Sequence, residues 1–241
     1  MTQALFRLYG ILEDFLPAQQ RGKVIPVTFS GPQSVKHLLE GLDVPHPEIG
    51  QVYANGQPVS LDYLVRPGDY IEAHPTPNGH PGTEDIRFAL DGHLGRLAAY
   101  LRLLGFDTWY QPQVDDPELA QRAAAEERIL LTRDRDLLKR KIVRHGYWIR
   151  HLKPEAQLRE VVERFALREH ARPFQRCLAC NGLLEPVPKA EIVHLLQPLT
   201  KRYFDEFHRC PQCGRIYWQG SHYQRLERLV NAILIPKDRS S

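Results

Sequence analysis

The chain has 241 residues, of which 42% are hydrophobic and 25% charged, and its net charge is +3 at pH 7. This composition is typical of a folded globular chain and excludes a mainly disordered one. No run of eighteen apolar residues occurs, and residues 1–10 lack the pattern of a secretory signal peptide. We therefore expect a cytoplasmic protein with no membrane partner.

Charge is distributed unevenly along the chain. Residues 1–85 carry five Lys or Arg and ten Asp or Glu, a net charge of −5, whereas the remaining residues carry +8. A basic segment of this kind suits a polyanionic partner such as nucleic acid, although a balanced solvated surface is nearly as common.

The first 74 residues show the pattern of a small mixed sheet with one helix. Apolar strand patterns cover residues 4–9 and 24–29, and Ser34 is a suitable N-cap for a short helix. Asn55-Gly56 predicts a tight hairpin turn, and a last strand covers residues 70–74. Strand, strand, helix, hairpin and closing strand is the order of a β-grasp.

This segment resembles the bacterial ubiquitin-like domains that precede certain ribonuclease domains, mainly through residues 52–59 and 64–74. Sulfur-carrier members of the β-grasp group end in a free Gly-Gly tail, but this chain continues through a breaker-rich linker at residues 75–82. We therefore expect a binding or scaffolding role, with a protein partner for the β-grasp domain.

From residue 86 the pattern alternates between strands and helices, which predicts an α/β domain with a parallel sheet. The predicted strands cover residues 86–90, 106–110, 129–132 and 147–152.

Acidic side chains follow the predicted strands at one edge of this sheet. Asp91 follows the first strand, Asp116 opens the helix after the second, and Asp134 and Asp136 follow the third. Ligands bind at the carboxyl ends of parallel strands, and clustered carboxylates need divalent cations to offset their repulsion. Mg²⁺ or Mn²⁺ fits such oxygen ligands, which points to metal-assisted phosphodiester hydrolysis.

Each aspartate also has a simpler interpretation. Asp116 could be a helix N-cap, in which case Asp115 could substitute for it in a metal site. Asp91 could belong to a turn, and Asp136 could cap the following helix. Asp134 alone has no obvious local role, so the joint placement of the four carries the metal hypothesis.

Three stretches, residues 88–98, 101–108 and 128–135, resemble the PIN-like ribonuclease family called the Mut-seven C-terminal domain. The resemblance covers about residues 86–223, and the family order of ubiquitin-like domain, nuclease and zinc ribbon also matches. It implies a metal-dependent RNase.

Within that resemblance the metal ligands and catalytic acids are Asp91, Asp116, Asp134 and Asp136. They would hold one or two Mg²⁺ or Mn²⁺ ions while an activated water attacks the phosphorus.

Positive side chains near these acids are candidate nucleic-acid contacts. Arg133 and Arg135 flank Asp134, and Arg96 lies on the first helix of the domain. An exposed helical arginine without a substrate contact is the alternative for Arg96 and for Arg102.

All four cysteines lie in two C-x-x-C pairs separated by twenty-nine residues: Cys177, Cys180, Cys210 and Cys213. In a cytosolic protein this pattern predicts a zinc ribbon, because four thiolates bind Zn²⁺ tetrahedrally and leave no open position for catalysis. The long interval predicts an inserted helix or loop, and residues 189–196 are the candidate for that helix. His194 and His208 are unnecessary as ligands.

Trp218 lies beside the second cysteine pair among basic residues, where it could stack on single-stranded or structured RNA. Core packing is an equally good explanation.

The expected architecture is therefore a β-grasp domain (1–83), a PIN-like α/β nuclease domain (84–170) and a zinc ribbon with a C-terminal helix (171–241). A non-catalytic RNA-binding or adaptor protein is the main alternative. An aspartyl phosphatase, suggested by Asp134 and Asp136, is disfavoured because its Asp-x-Asp pair would follow the first strand.

Overall fold

The computed structural model describes residues 2–79 and 86–235. Residue contacts group the chain into two compact units, Met1–Asn78 with Asp115–Ile149, and Gly79–Val114 with Arg150–Ser241. The predicted linker at residues 75–82 lies partly outside the described residues.

The strands are, in chain order, β1 (Thr2–Leu8), β2 (Ile25–Phe29), β3 (Ile49–Ala54), β4 (Gln57–Val59), β5 (Tyr70–Pro75), β6 (Arg87–Leu90), β7 (Asp107–Tyr110), β8 (Ile129–Thr132), β9 (Gly146–Trp148), β10 (Glu185–Pro186), β11 (His208–Arg209) and β12 (Ile216–Tyr217). The α-helices are α1 (Val35–Gly41), α2 (Gly95–Leu103), α3 (Asp116–Ala125), α4 (Arg135–Leu138), α5 (Pro154–Arg164), α6 (Lys189–Ile192), α7 (Pro198–Tyr203) and α8 (Ser221–Leu234). The 3₁₀ helices lie at Gly10–Phe15, Ala18–Gln20, His46–Glu48, Gly92–Leu94, Leu167–His170 and Val193–Leu195.

The first unit begins with a five-stranded mixed sheet in the order β2-β1-β5-β3-β4. Strand β1 pairs antiparallel with β2 and parallel with β5, as in a β-grasp. The predicted helix is present as α1, and the Ser34 hydroxyl accepts a hydrogen bond from the N–H of His37. The predicted element order is therefore confirmed.

Alternation of side chains along β1 explains which face of this sheet is buried. Ala4, Phe6 and Leu8 are fully buried, whereas Leu5 between them is 39% exposed. A period of two places every second residue on the same face, and α1 covers that face with Val35 and residues that follow it.

The rest of the first unit contains α3, β8, α4 and β9. Strands β8 and β9 are parallel, with Leu130 opposite Gly146 and Thr132 opposite Trp148. All four residues of β8 are buried, which is typical of a strand covered on both faces.

The second unit contains the parallel pair β6 and β7, with α2 and α5 packed together. Phe88 on β6 makes edge-to-face contacts with Phe106 and Phe165, at ring-centroid distances of 6.1 and 5.8 Å. Gly105 ends the α2 segment at φ +95°, and a Cβ there would lie 2.2 Å from the carbonyl oxygen of Arg172. Only glycine fits this position.

The C-terminal part of the second unit is a small antiparallel sheet in the order β10-β11-β12. Between the cysteine pairs the structure has α6, a 3₁₀ turn and α7. The predicted helical segment over residues 189–196 is therefore present, but as a short α-helix followed by a 3₁₀ turn at Val193–Leu195. Ile192, Leu196 and Phe207 form a separate core beneath these short helices.

The α/β class, with parallel strands flanked by helices after an N-terminal mixed sheet, agrees with the sequence prediction. Within residues 2–79 and 86–235, every helix is too short or too polar to cross a membrane.

Candidate functional site

Asp134 lies two residues beyond the carboxyl end of β8 and is exposed. Its Oδ1 atom accepts hydrogen bonds from the N–H groups of Asp136 and Leu137, at 2.8 and 3.4 Å. Its own N–H donates to the Thr132 hydroxyl at 2.9 Å. Asp134 is therefore the N-cap of α4, and the assignment of this cap to Asp136 is wrong.

Asp136 does not cap α4 but pairs with a lysine. Its side chain is 86% exposed, and Oδ1 pairs with the Lys139 ammonium at 2.9 Å. Asp134 and Asp136 thus place two exposed carboxylates at the start of the short helix α4.

Asp116 is the first residue of α3 and is exposed. The capping bond belongs to its neighbour, because Asp115 Oδ1 accepts the N–H of Glu118 at 2.8 Å. The simpler interpretation of Asp116 as the cap is therefore wrong, and its carboxylate is not needed for that bond.

In the second unit, Asp91 directly follows β6 and is partly buried. Its Oδ1 atom accepts the N–H of His93 at 3.1 Å and begins a 3₁₀ turn. The turn predicted at this position is present.

Among the described residues, the four cysteines are the one group of three or more potential metal-ligating side chains whose ligand atoms all lie within 4.8 Å of one another. Asp116, Asp134 and Asp136, which all belong to the first unit, do not form a second such group among the described residues.

The candidate nucleic-acid residues differ in their surroundings. Arg96 and Arg133 are exposed, and Trp218 is 38% exposed beside Phe207, with ring centroids 6.4 Å apart. Arg135 instead forms an ion pair with Asp43 at 3.0 Å.

The four cysteine sulfurs converge between the two C-x-x-C turns. Cys177 and Cys213 have their sulfurs 3.5 Å apart, and Cys180 and Cys210 have theirs 3.4 Å apart. In a tetrahedral zinc site with Zn–S bonds of about 2.3 Å, the sulfurs are about 3.8 Å apart. The cluster therefore has the donor set and spacing that zinc binding requires.

Hydrogen bonds favour the thiolate form at one of these positions. Burial opposes ionisation of Cys177, but the Tyr217 hydroxyl, 3.1 Å from the sulfur, and the N–H groups of Cys180 and Ala179 lower the pKa of Cys177 to about 6. Thiolates are the form that binds metal.

Family comparison agrees with this architecture. Residues 86–230 match the model of the Mut7-C RNAse domain, and residues 1–79 match the Mut7-C ubiquitin domain. The chain belongs to the Mut7-C family. The first of these domains indicates a ribonuclease-like function. No curated protein and no solved structure matches the chain.

The Mut7-C RNase domain of this chain contains a buried arginine that sequence reasoning placed on the surface. Arg102 is only 4% exposed. Its guanidinium donates to the carbonyl of Thr108 at 3.0 Å and to those of Leu178 and Ala179 at 3.1 and 2.8 Å. Leu178 and Ala179 lie inside the first C-x-x-C turn, so Arg102 holds that turn against the β7 segment.

Asn181 also connects the segment of the first cysteine pair to β7. Asn181 accepts the N–H of Thr108 at 2.9 Å and donates to Asp107 at 2.9 Å. The first cysteine turn and Asn181, which follows it, are therefore both hydrogen-bonded to the β7 segment.

We expect Arg102→Ala to destabilise the protein by about 3 kcal/mol, because the carbonyl groups of Thr108, Leu178 and Ala179 all lose a charged hydrogen-bond donor. Urea unfolding of the full chain measures the change. Arg96→Ala, on the same helix but exposed, should change the free energy of unfolding by less than about 0.5 kcal/mol. Equal effects of the two substitutions would contradict the bridging role of Arg102.

Proposed function

We propose that this Mut7-C protein is a metal-dependent ribonuclease whose catalytic acids are Asp91, Asp116, Asp134 and Asp136. The observation that carries the proposal is the pair of exposed carboxylates, Asp134 and Asp136, directly after the buried strand β8 of an RNase-family domain. Exposed carboxylates suit Mg²⁺ or Mn²⁺, which bind through a few carboxylates and keep several waters.

The chain's own groups have separate tasks in this proposal. Both capping bonds of Asp134 fall on Oδ1, so Oδ2 would be its ligand atom. Asp136 and Asp116 would add further oxygens. Asp91 is included only because it directly follows the carboxyl end of β6, where ligands bind in parallel sheets. When bound, the divalent ion would neutralise the phosphate and lower the pKa of a water.

RNA would be held by positive and aromatic side chains. Arg96 and Arg133 are exposed and can offset phosphate charge, and Trp218 offers an exposed ring for stacking. We further propose that the ubiquitin-like domain binds a protein partner.

The four-cysteine cluster would hold a structural zinc ion, since four thiolates fill a tetrahedral sphere. The described cysteines are unpaired thiols, which suits a cytoplasmic location.

We expect the protein to cleave labelled single-stranded RNA when Mg²⁺ or Mn²⁺ is added, and to stop when the ion is removed by dialysis. Zinc content is followed in the same samples, so that loss of the cysteine-bound ion is not mistaken for loss of the catalytic one. The neighbours Asp116 and Asp115 supply a matched pair. Asp116→Asn should lower the rate at least about tenfold, whereas Asp115→Asn keeps a good N-cap and should not change it.

A non-catalytic RNA-binding protein is the second candidate. It is favoured by the capping bonds of Asp134 and Asp91, because both residues would be retained for folding alone. RNA binding in a gel-shift assay, without metal-dependent turnover, would support it over the nuclease.

A further inference from the structure

One turn of the ubiquitin-like domain contacts the segment that carries Asp134 and Asp136, within the first compact unit. The turn comprises residues 43–48. Asp43 makes the contact nearest the acidic segment, since its carboxylate accepts from the Arg135 guanidinium at 3.0 Å and from the Lys139 ammonium.

Arg135 is fixed by more than this ion pair. Its guanidinium lies over the rings of Trp148 and Phe15, at 4.2 and 5.3 Å from their centroids. The ion pair and the cation–π contacts together fix the position of the Arg135 side chain. Arg135, which lies between Asp134 and Asp136 in the sequence, therefore contacts the ubiquitin-like domain through Asp43 and Phe15.

Lys139 connects Asp43 to the acidic pair itself. Its ammonium binds both Asp43 and Asp136, the latter at 2.9 Å. Burial opposes the charge on Lys139, but these two hydrogen bonds raise its pKa. The hydrogen bond from Lys139 is also the main cause that lowers the pKa of the Asp43 carboxyl. Lys139 is thus shared between two carboxylates.

Two further contacts fix the same turn. Glu48, only 1% exposed, accepts the N–H of Trp148 at 2.6 Å, and a ring nitrogen of His46 lies 2.8 Å from the carbonyl oxygen of Val143. Together they tie the C-terminal half of residues 43–48 to the chain around β9.

We propose that Asp43 is a positioning residue for the acidic segment: it holds Arg135 aside and shares Lys139, so that Asp136 keeps its carboxylate available for a metal ion. This inference rests on the proposed function. The ubiquitin-like domain then acts on the nuclease segment of its own chain, in addition to any partner that it binds.

Asp43→Asn tests the proposal with little disturbance of the backbone. Asp43 has φ +71°, a left-handed conformation that asparagine also tolerates, so the substitution removes mainly the charge. Lys139 would then pair with Asp136 alone and compete with the metal. We expect Mn²⁺ to bind the full-length variant roughly tenfold more weakly, at the lower end of the effects of groups outside a metal's first ligands.

Two readouts that need no cleavage accompany the RNA assay: Mn²⁺ binding by calorimetry and hydrogen–deuterium exchange of residues 133–139, which should become faster. Asp62→Asn makes the same chemical change at an exposed site of the ubiquitin-like domain and should alter neither. Unchanged exchange or unchanged Mn²⁺ affinity in Asp43→Asn would overturn the proposal. If the wild type binds Mn²⁺ but cleaves no RNA, the nuclease function fails while weaker binding by Asp43→Asn still supports the positioning role.

Discussion

Asp134→Asn should reduce metal-dependent RNA cleavage at least about 100-fold, because groups outside a metal's first ligands already cost 10–100-fold and Asp134 is proposed as a ligand. The substitution separates the two roles of this residue. Asparagine is as good an N-cap as aspartate, so the bonds to the N–H groups of Asp136 and Leu137 can persist while the charge is lost. Initial rates on labelled single-stranded RNA, measured over a range of Mn²⁺ concentrations, give the effect.

Asp134→Ala is the informative companion. It removes both the charge and the cap, and should cost about 1 kcal/mol of stability in addition to the activity. Urea unfolding of the two variants measures that difference. If Asp134→Asn cleaves as fast as the wild type, Asp134 is a capping residue only and the acidic pair is not the catalytic centre.

Cys210→Ser should abolish stoichiometric zinc binding and lower the melting temperature strongly, because structural zinc contributes on the order of 10 kcal/mol to such modules. Cys210 is fully buried and is one of the four cysteines of the cluster. Zinc release, measured with a chromogenic chelator after thiol modification, reports this cluster alone, since the chain has four cysteines in total.

His208→Ala is the control for this experiment. His208 lies two residues before Cys210 and is exposed, but four thiolates would complete the coordination of a zinc ion without it. One zinc per chain should remain in that variant. Loss of zinc from His208→Ala, or its retention in Cys210→Ser, would contradict a four-cysteine site.

The ubiquitin-like domain was predictable because its elements carry local signals. Ser34 caps α1, and Asn55 and Gly56 adopt the positive φ angles, 51° and 77°, that their hairpin needs. Each cysteine pair is also a local signal, since the C-x-x-C spacing identifies the candidate ligands without knowledge of the fold.

The contacts that position the candidate site are not local, and sequence patterns do not reveal them. Asp43 and Arg135 are 92 residues apart, and Arg102 and Leu178 are 76 apart. The sequence held a partial signal for Arg102, because it lies among the apolar residues Leu101, Leu103 and Leu104, and the structure buries all three. The cap of α4 was misplaced by two residues because Asp134 and Asp136 are both good capping residues and only backbone geometry distinguishes them.

The bridge from Arg102 to the carbonyls of Leu178 and Ala179 has a consequence for newly synthesised chains. If the proposed zinc ion orders the first cysteine turn, a chain without zinc would lack ordered acceptors at Leu178 and Ala179, and the buried Arg102 guanidinium would lose two of its three partners. Such chains would open more often and be degraded faster by cellular proteases. The supply of zinc during synthesis would thereby set the abundance of the protein without any change at the proposed acidic site.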